Sequence, residues 1–181
     1  MNPEIQFLNG IQTHLRSPAL DVFFKYYTYL GEAVVFVVLA AVLIFFKKTR
    51  KIGITISLAI VLGALTGNII LKNVIARPRP YNDPNAMIDA ARLLIKTPKD
   101  YSFPSGHTLA GFNTALTLFY YKKIPGAAAL AGASLLAFSR MYLFVHYPTD
   151  ILGGLLLAVV CSLSAFYMVK AVAEKYYPAY R

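Results

Sequence analysis

The sequence predicts an all-α integral-membrane helical bundle of five to six transmembrane helices, preceded by an N-terminal amphipathic segment. Three observations carry that prediction. The 181-residue chain is 57% hydrophobic, with a mean hydropathy of +0.55, values that soluble domains of this size rarely reach. Its apolar residues fall into long runs that approach the about 20 residues a bilayer demands. Its lysines and arginines cluster at intervals between those runs, as membrane topology requires.

Residues 1–30 mix apolar pairs with Glu4, Arg16, Asp21 and Lys25, so they read as an amphipathic segment at the membrane interface, with part of a sixth span at the end. They lack the basic start and uninterrupted apolar core of a cleaved signal peptide. Ala33 to Phe46 is the first clear span and Ile52 to Leu71 the second. Leu109 to Tyr121 is the third, and "YYKKIPG", with two lysines and a Pro-Gly turn signal, reads as the loop before the fourth, Ile124 to Phe138. Ile151 to Val169 is the fifth. Residues 1–181 therefore form a single membrane-embedded domain. The one cysteine, Cys161, lies inside the last run as a small buried side chain, leaving no disulfide framework and no cysteine metal site.

Charge sets the orientation. Lys47, Lys48, Arg50 and Lys51 follow the first span, Lys122 and Lys123 the third, and Lys170, Lys175 and Arg181 the last. Five crossings put all three groups on one side, which the positive-inside rule makes cytoplasmic. The loops 77–104 and 142–149 then face the extracytoplasmic side. The longer one is itself basic, with Arg77, Arg79, Arg92, Lys96 and Lys99 against Asp83, Asp89 and Asp100. Anionic lipid headgroups account for Arg92, Lys96 and Lys99 as well as a ligand does, and a short helical pattern from Ala86 to Ile95 suits a lid. The net charge of +10 is a matter of membrane surface and topology, since no nucleic-acid motif accompanies it.

Three polar clusters lie on the extracytoplasmic side. In "KNVIARPRP", Lys72 belongs to the second span, and Pro78 and Pro80 end that helix near Ala76, so Arg77 and Arg79 swing over its end. Each cation alone could be snorkelling; three within eight residues resemble an anion clamp. In "SFPSGHT", Ser105 is a good N-cap, Gly106 permits close approach to the backbone, and the free N–H groups of the following turn suit an anion, with His107 at their edge. In "SRMYLFVHYPTD", Arg140 offers a planar fork for phosphate oxygens. Asp150, four residues after His146, can fix the imidazole tautomer and leave the other nitrogen free to attack. The intervening "MYLFV" reads as an apolar wall at the membrane. Each cluster alone also has a plain structural reading, as a helix cap or a local hydrogen bond. Their convergence on one side, where ionisable groups are costly, points to phosphoryl transfer by a histidine nucleophile, a second histidine as acid, and cations on the phosphate. That chemistry calls for no metal and no cofactor, and the nearby carboxylates are too few for a metal cage.

The ordered set Lys72, Arg79 and Pro80, then Pro104 to His107, then Ser139, Arg140, His146 and Asp150 resembles the tripartite signature of the type 2 phosphatidic acid phosphatase superfamily. That superfamily includes membrane lipid phosphate phosphatases and soluble vanadium haloperoxidases, and the resemblance spans residues 20 to 170. It implies metal-independent dephosphorylation through a phosphohistidine. His146 would attack phosphorus with Asp150 orienting it, and His107 would protonate the leaving oxygen and then activate water. Lys72, Arg79, Arg140, Ser105 and Gly106 would hold the phosphate; Arg77 and Ser139 lie near the motifs without an assigned role. The spans favour the small bacterial membrane branch, with undecaprenyl pyrophosphate as first substrate and phosphatidylglycerophosphate or phosphatidic acid as alternatives. The implied partners are the lipid phosphate and the surrounding membrane lipids. Two other readings stay open: a phosphotransferase using the same site, and a non-catalytic lipid-binding or transport protein.

Overall fold

The computed structural model describes residues 2–176; Arg181, counted above among the charges after the last span, lies outside them. No strand occurs among the described residues. Helix α1 (Pro3–His14) starts on a proline after the Asn2 cap, and α2 (Pro18–Tyr27) repeats the device with Ser17; proline at the first helical position gives up only an N–H that had no partner. A 3-10 turn, Thr28–Gly31, bends α2 by 52° into α3 (Ala33–Phe45). Helix α4 (Arg50–Gly63) runs through a π-helical stretch, Ala64–Leu71, into α5 (Lys72–Ile75). The rod stops at Ala76, in the left-handed conformation (φ 45°, ψ 38°), where "ARPRP" placed its end. The remaining long helices are α6 (Gly106–Tyr121), α7 (Lys123–Tyr142) and α8 (Pro148–Tyr176).

Three stretches, Arg50–Asn82, Lys123–Tyr142 and Pro148–Lys175, are long and apolar enough to cross a membrane, and α2 with α3 makes a fourth as one bent span. Only 28–33% of an 18-residue apolar window in each of the three is buried against protein, so most of that window faces outward, as lipid contact requires. Helix α6 differs. Its 16 residues rise about 24 Å, short of the about 30 Å hydrocarbon core. It sits at the centre of the bundle against α4, α7 and α8, and its small residues Gly111, Thr114, Ala115 and Thr117 are buried. The loop expected at Tyr121–Gly126 shrinks to Lys122 alone, because Pro125 fits within the first turn of α7.

One face of the N-terminal segment packs on protein. Ile5, Leu8 and Ile11 of α1 are buried in one cluster with Phe24, Tyr81, Ile88 and the run Tyr142–Val145. The "MYLFV" stretch is thus a protein core plugged by α1 rather than a wall facing the membrane. Hydrogen bonds secure the plug: Gln12 Nε2 donates to the Tyr142 carbonyl (2.8 Å) and the Tyr142 hydroxyl to Asp21 (2.8 Å). The helical pattern at Ala86 to Ile95 yields only a 3-10 turn, Ala90–Arg92, capped by Asp89. Ile88, Leu93, Leu94 and Ile95 instead pack one by one against the same cluster.

Candidate active site

The start of α5, the N-terminal half of α6, the C-terminal end of α7 and the turn after it meet around a cavity of about 860 Å³, lined by Lys72, Arg79, Gly106, His107, Arg140 and His146. The three cationic residues are nearly sealed from outside: Lys72, Arg79 and Arg140 are 7%, 4% and 4% exposed as whole residues. Such burial is tolerated only where anions or polar groups compensate.

His146 lies in the short turn between α7 and α8, just after Phe144, whose φ of 61° reverses the chain. That strained residue is held by Phe144 N donating to the Met141 carbonyl and Val145 N to the Arg140 carbonyl. His146 Nε2 lies 3.3 Å from Arg79 Nη1 and Nδ1 lies 3.5 Å from Asp150 Oδ2. A guanidinium cannot accept a hydrogen bond, so Nε2 carries the lone pair and Nδ1 the proton, on the Asp150 side of the ring but without a hydrogen bond of good geometry to it. Burial pushes the imidazole down to about 3, with Arg79 and Arg140 adding to the fall against the opposing pull of Asp150. The ring is therefore neutral near pH 7, with an unprotonated Nε2 at the cavity.

Asp150, fully buried, lies behind His146 and does not line the cavity. Its Oδ2 accepts from the Ser102 hydroxyl and from the Tyr147 N–H (2.8 Å), and its Oδ1 accepts from Arg77 Nη1 (2.7 Å). The Tyr147 contact is half of a capping box, in which an acidic third residue of a helix satisfies the cap's own N–H. Arg77 thus serves the carboxylate rather than the cavity. It also stacks over the Tyr147 ring at 3.9 Å, and its Nη2 reaches Glu4 at 2.5 Å. Glu4 in turn accepts from the N–H and hydroxyl of Thr149 at 2.9 and 2.8 Å. Burial alone would raise the Glu4 carboxyl, but Thr149 and Arg77 hold it below its usual range. Nothing in "MNPEIQF" signals this role, since the partner lies 73 residues away.

On the opposite wall, His107 Nε2 is buried without a hydrogen-bond partner and lies 3.8 Å from Glu32. Gly31 makes room for the ring: a Cβ there would stand 2.4 Å from His107 Cδ2. Arg140 spends Nη1 on Thr28 (2.5 Å) and keeps a buried Nε with no protein partner. A buried donor left over beside a polar cavity marks a place for a ligand oxygen. Gly106 lines the cavity with Asn68 of the π-helical stretch, whose Oδ1 would be 3.1 Å from a Cβ on Gly106. Ser105 is fully buried and does not line the cavity; its hydroxyl accepts from Thr108 N (3.5 Å) and Thr108 Oγ1 (3.0 Å) and so caps α6. Ser139 likewise turns inward, donating to the Leu136 carbonyl at 2.6 Å. Asp100 bridges two of the cations, with Oδ1 2.6 Å from Arg79 Nη2 and Oδ2 on the Lys72 ammonium. Partial burial would raise its carboxyl, but Lys72 and Arg79 overcome this and hold it at about 2. Among the described residues no three His, Cys, Asp or Glu side chains group as a metal site.

A family model described as the PAP2 superfamily matches residues 52–174. The chain is 36% identical over 155 residues to an undecaprenyl-diphosphatase of Sulfolobus acidocaldarius, covering 85% of this chain and 67% of that protein; 94% of it matches 44% of a probable sphingosine-1-phosphate phosphatase of Dictyostelium discoideum, so it spans under half of that longer relative. The crystal structure of Aquifex aeolicus LpxE superimposes with a TM-score of 0.75 at 31% identity, covering 90% of this chain and 92% of that one. A transmembrane PAP2-type phosphatidylglycerolphosphate phosphatase from Bacillus subtilis gives 0.70 at 28% identity, covering 96% and 85%.

Proposed function

Because the chain belongs to the PAP2 superfamily, we propose that it is a membrane lipid phosphatase that hydrolyses a terminal phosphate or pyrophosphate of a lipid. The observation that carries this reading is the set of partnerless buried polar atoms on one cavity: Arg140 Nε and His107 Nε2, facing the unprotonated Nε2 of His146. His146 Nε2 attacks phosphorus, forming an N–P bond as the bond to the lipid oxygen breaks. His107 delivers a proton to that oxygen, then takes one from the water that cleaves the N–P bond and releases inorganic phosphate. The imidazolium character that His146 acquires is stabilised by Asp150, which Ser102, Arg77 and the Tyr147 N–H hold in place. Lys72, Arg79 and Arg140 neutralise the phosphate oxygens, with the Gly106 N–H at the start of α6 adding a donor. Ser105 supports that donor through the helix cap.

Undecaprenyl pyrophosphate is the first substrate on this reading, with phosphatidylglycerophosphate and phosphatidic acid next; the names of similar proteins support the first two. The bent α2–α3 pair, the α4–α5 rod, α6, α7 and α8 make five crossings, with α6 compensating for its short rise by lying inside the bundle. The cation groups at Lys47–Lys51, Lys122–Lys123 and Lys170–Lys175 then mark the cytoplasmic end, and the cavity opens on the extracytoplasmic side. The test is phosphate release from these three lipids by purified protein in detergent with EDTA. Release by the wild type and none by His146→Ala supports the reading; EDTA-sensitive activity, or activity surviving His146→Ala, overturns it.

A further inference from the structure

Two of the cations assigned to the phosphate already hold an anion. The Asp100 carboxylate spans Arg79 and Lys72, and its side chain is 54% exposed while theirs are 4% and 9%. It presents two oxygens to two donors, as a phosphate does. The main chain beneath it is fixed separately: Arg79 Nε donates to the Asp100 carbonyl (2.8 Å) and Ser102 N to the Arg77 carbonyl (2.8 Å). Releasing Lys72 and Arg79 Nη2 therefore takes only a swing of the exposed Asp100 side chain away from the two cations, while its peptide stays in place. Between turnovers the tethered carboxylate spares two buried cations from lacking a counter-charge, which is costly. Arg140, with its partnerless Nε, stands outside the pairing and is free to meet an incoming phosphate first.

Resting on the phosphatase reading, we propose that Asp100 is a placeholder anion that a terminal phosphate displaces and a phosphodiester does not. A phosphomonoester carries about −1.5 to −2 charge near neutral pH and outcompetes a carboxylate for two cations. A diester, with a single charge, gains little by replacing another single charge. The membrane around the protein supplies diester headgroups in excess, so the filter acts where it is needed. After hydrolysis the returning carboxylate helps to expel inorganic phosphate.

The experiment measures competitive inhibition by inorganic phosphate and by a short-chain phosphatidylglycerol in mixed micelles, using whichever lipid phosphate the wild type hydrolyses. If the wild type hydrolyses none, the phosphatase reading fails; every result below bears on Asp100 alone. The wild type should be inhibited by phosphate and not by the diester, and wild-type inhibition by the diester at the same concentrations overturns the proposal. Asp100→Asn removes the competing charge and keeps the shape, so the phosphate inhibition constant should fall about tenfold, the effect of about 1.4 kcal/mol, and the diester should become an inhibitor. A residue that merely holds Lys72 and Arg79 in position predicts the opposite sign, weaker phosphate binding. An unchanged or raised constant overturns the proposal, as does a variant that still ignores the diester. Asp100→Ala should change in the same direction and decides the matter if the Asn variant does not elute as a folded protein.

Discussion

Replacing Arg77 with methionine separates two roles that its place in "KNVIARPRP" leaves open: a clamp on phosphate or a brace for Asp150. The geometry assigns the brace. Arg77 gives Asp150 Oδ1 a 2.7 Å contact, while Oδ2 keeps Ser102, the Tyr147 N–H and His146. A charge-assisted hydrogen bond contributes about 1.5–3 kcal/mol. If all of it is felt when His146 gains charge, kcat falls about 10- to 150-fold. The loss should stay below that of Asp150→Ala, because the other partners of the carboxylate remain. KM should change little, since Arg77 does not line the cavity. Stability should fall too, as Asp150 and Glu4 both lose a cationic partner. Steady-state kinetics on a lipid phosphate, with thermal unfolding in detergent, measures both. A raised KM with kcat intact would show that Arg77 binds phosphate and would refute the reasoning.

Three further outcomes are expected. Gly31→Ala should lower kcat by about tenfold or more while the protein stays folded, because the new Cβ must push His107 out of line and small misplacements of catalytic groups are costly; unchanged turnover would remove His107 from the mechanism as described. His146 has its folded value lowered from 6.5 to about 3, so the unfolded chain binds more protons between those limits and stability falls as pH drops from 6.5 towards 3. His146→Gln should flatten the melting-temperature profile across that window, and an unaltered slope would contradict the buried neutral ring. Glu4→Gln should lower kcat less than Arg77→Met does, because Arg77 keeps its direct contact with Asp150; a larger loss than in Arg77→Met would place Glu4 elsewhere in the chemistry.

The parts of the site legible in the sequence were those where charge is costly. Lys72, Arg79, Arg140, His107, His146 and Asp150 stand out because each interrupts or flanks an apolar run, and five of them line one cavity with Asp150 directly behind. The helix end at Ala76 was legible because Pro78 and Pro80 leave no alternative. What escaped the reading depended on long-range partners. Glu4 looked like one charge in an amphipathic helix until Arg77 and Thr149 came to it. Asp100 looked like one acid balancing a basic loop, and its two partners give it a different meaning. Ser105 carried the right residue type, yet burial turned its hydroxyl to capping. The helical pattern at Ala86 to Ile95 failed because apolar spacing records which residues are buried and not by which element. The π-helical stretch before Lys72 and the bend before Glu32 leave no mark in hydropathy at all.

The central claim is a phosphoryl group carried on His146, and the direct measurement is its capture. Turnover of a lipid phosphate quenched in base, which spares the N–P bond, followed by mass spectrometry, should find one added phosphoryl group on the peptide containing His146 in the wild type. The same peptide from Asp150→Asn should carry less, and His146→Ala should carry none and release no phosphate. A phosphorylated His107, or full turnover with no phosphorylated histidine at any time point, would contradict the account.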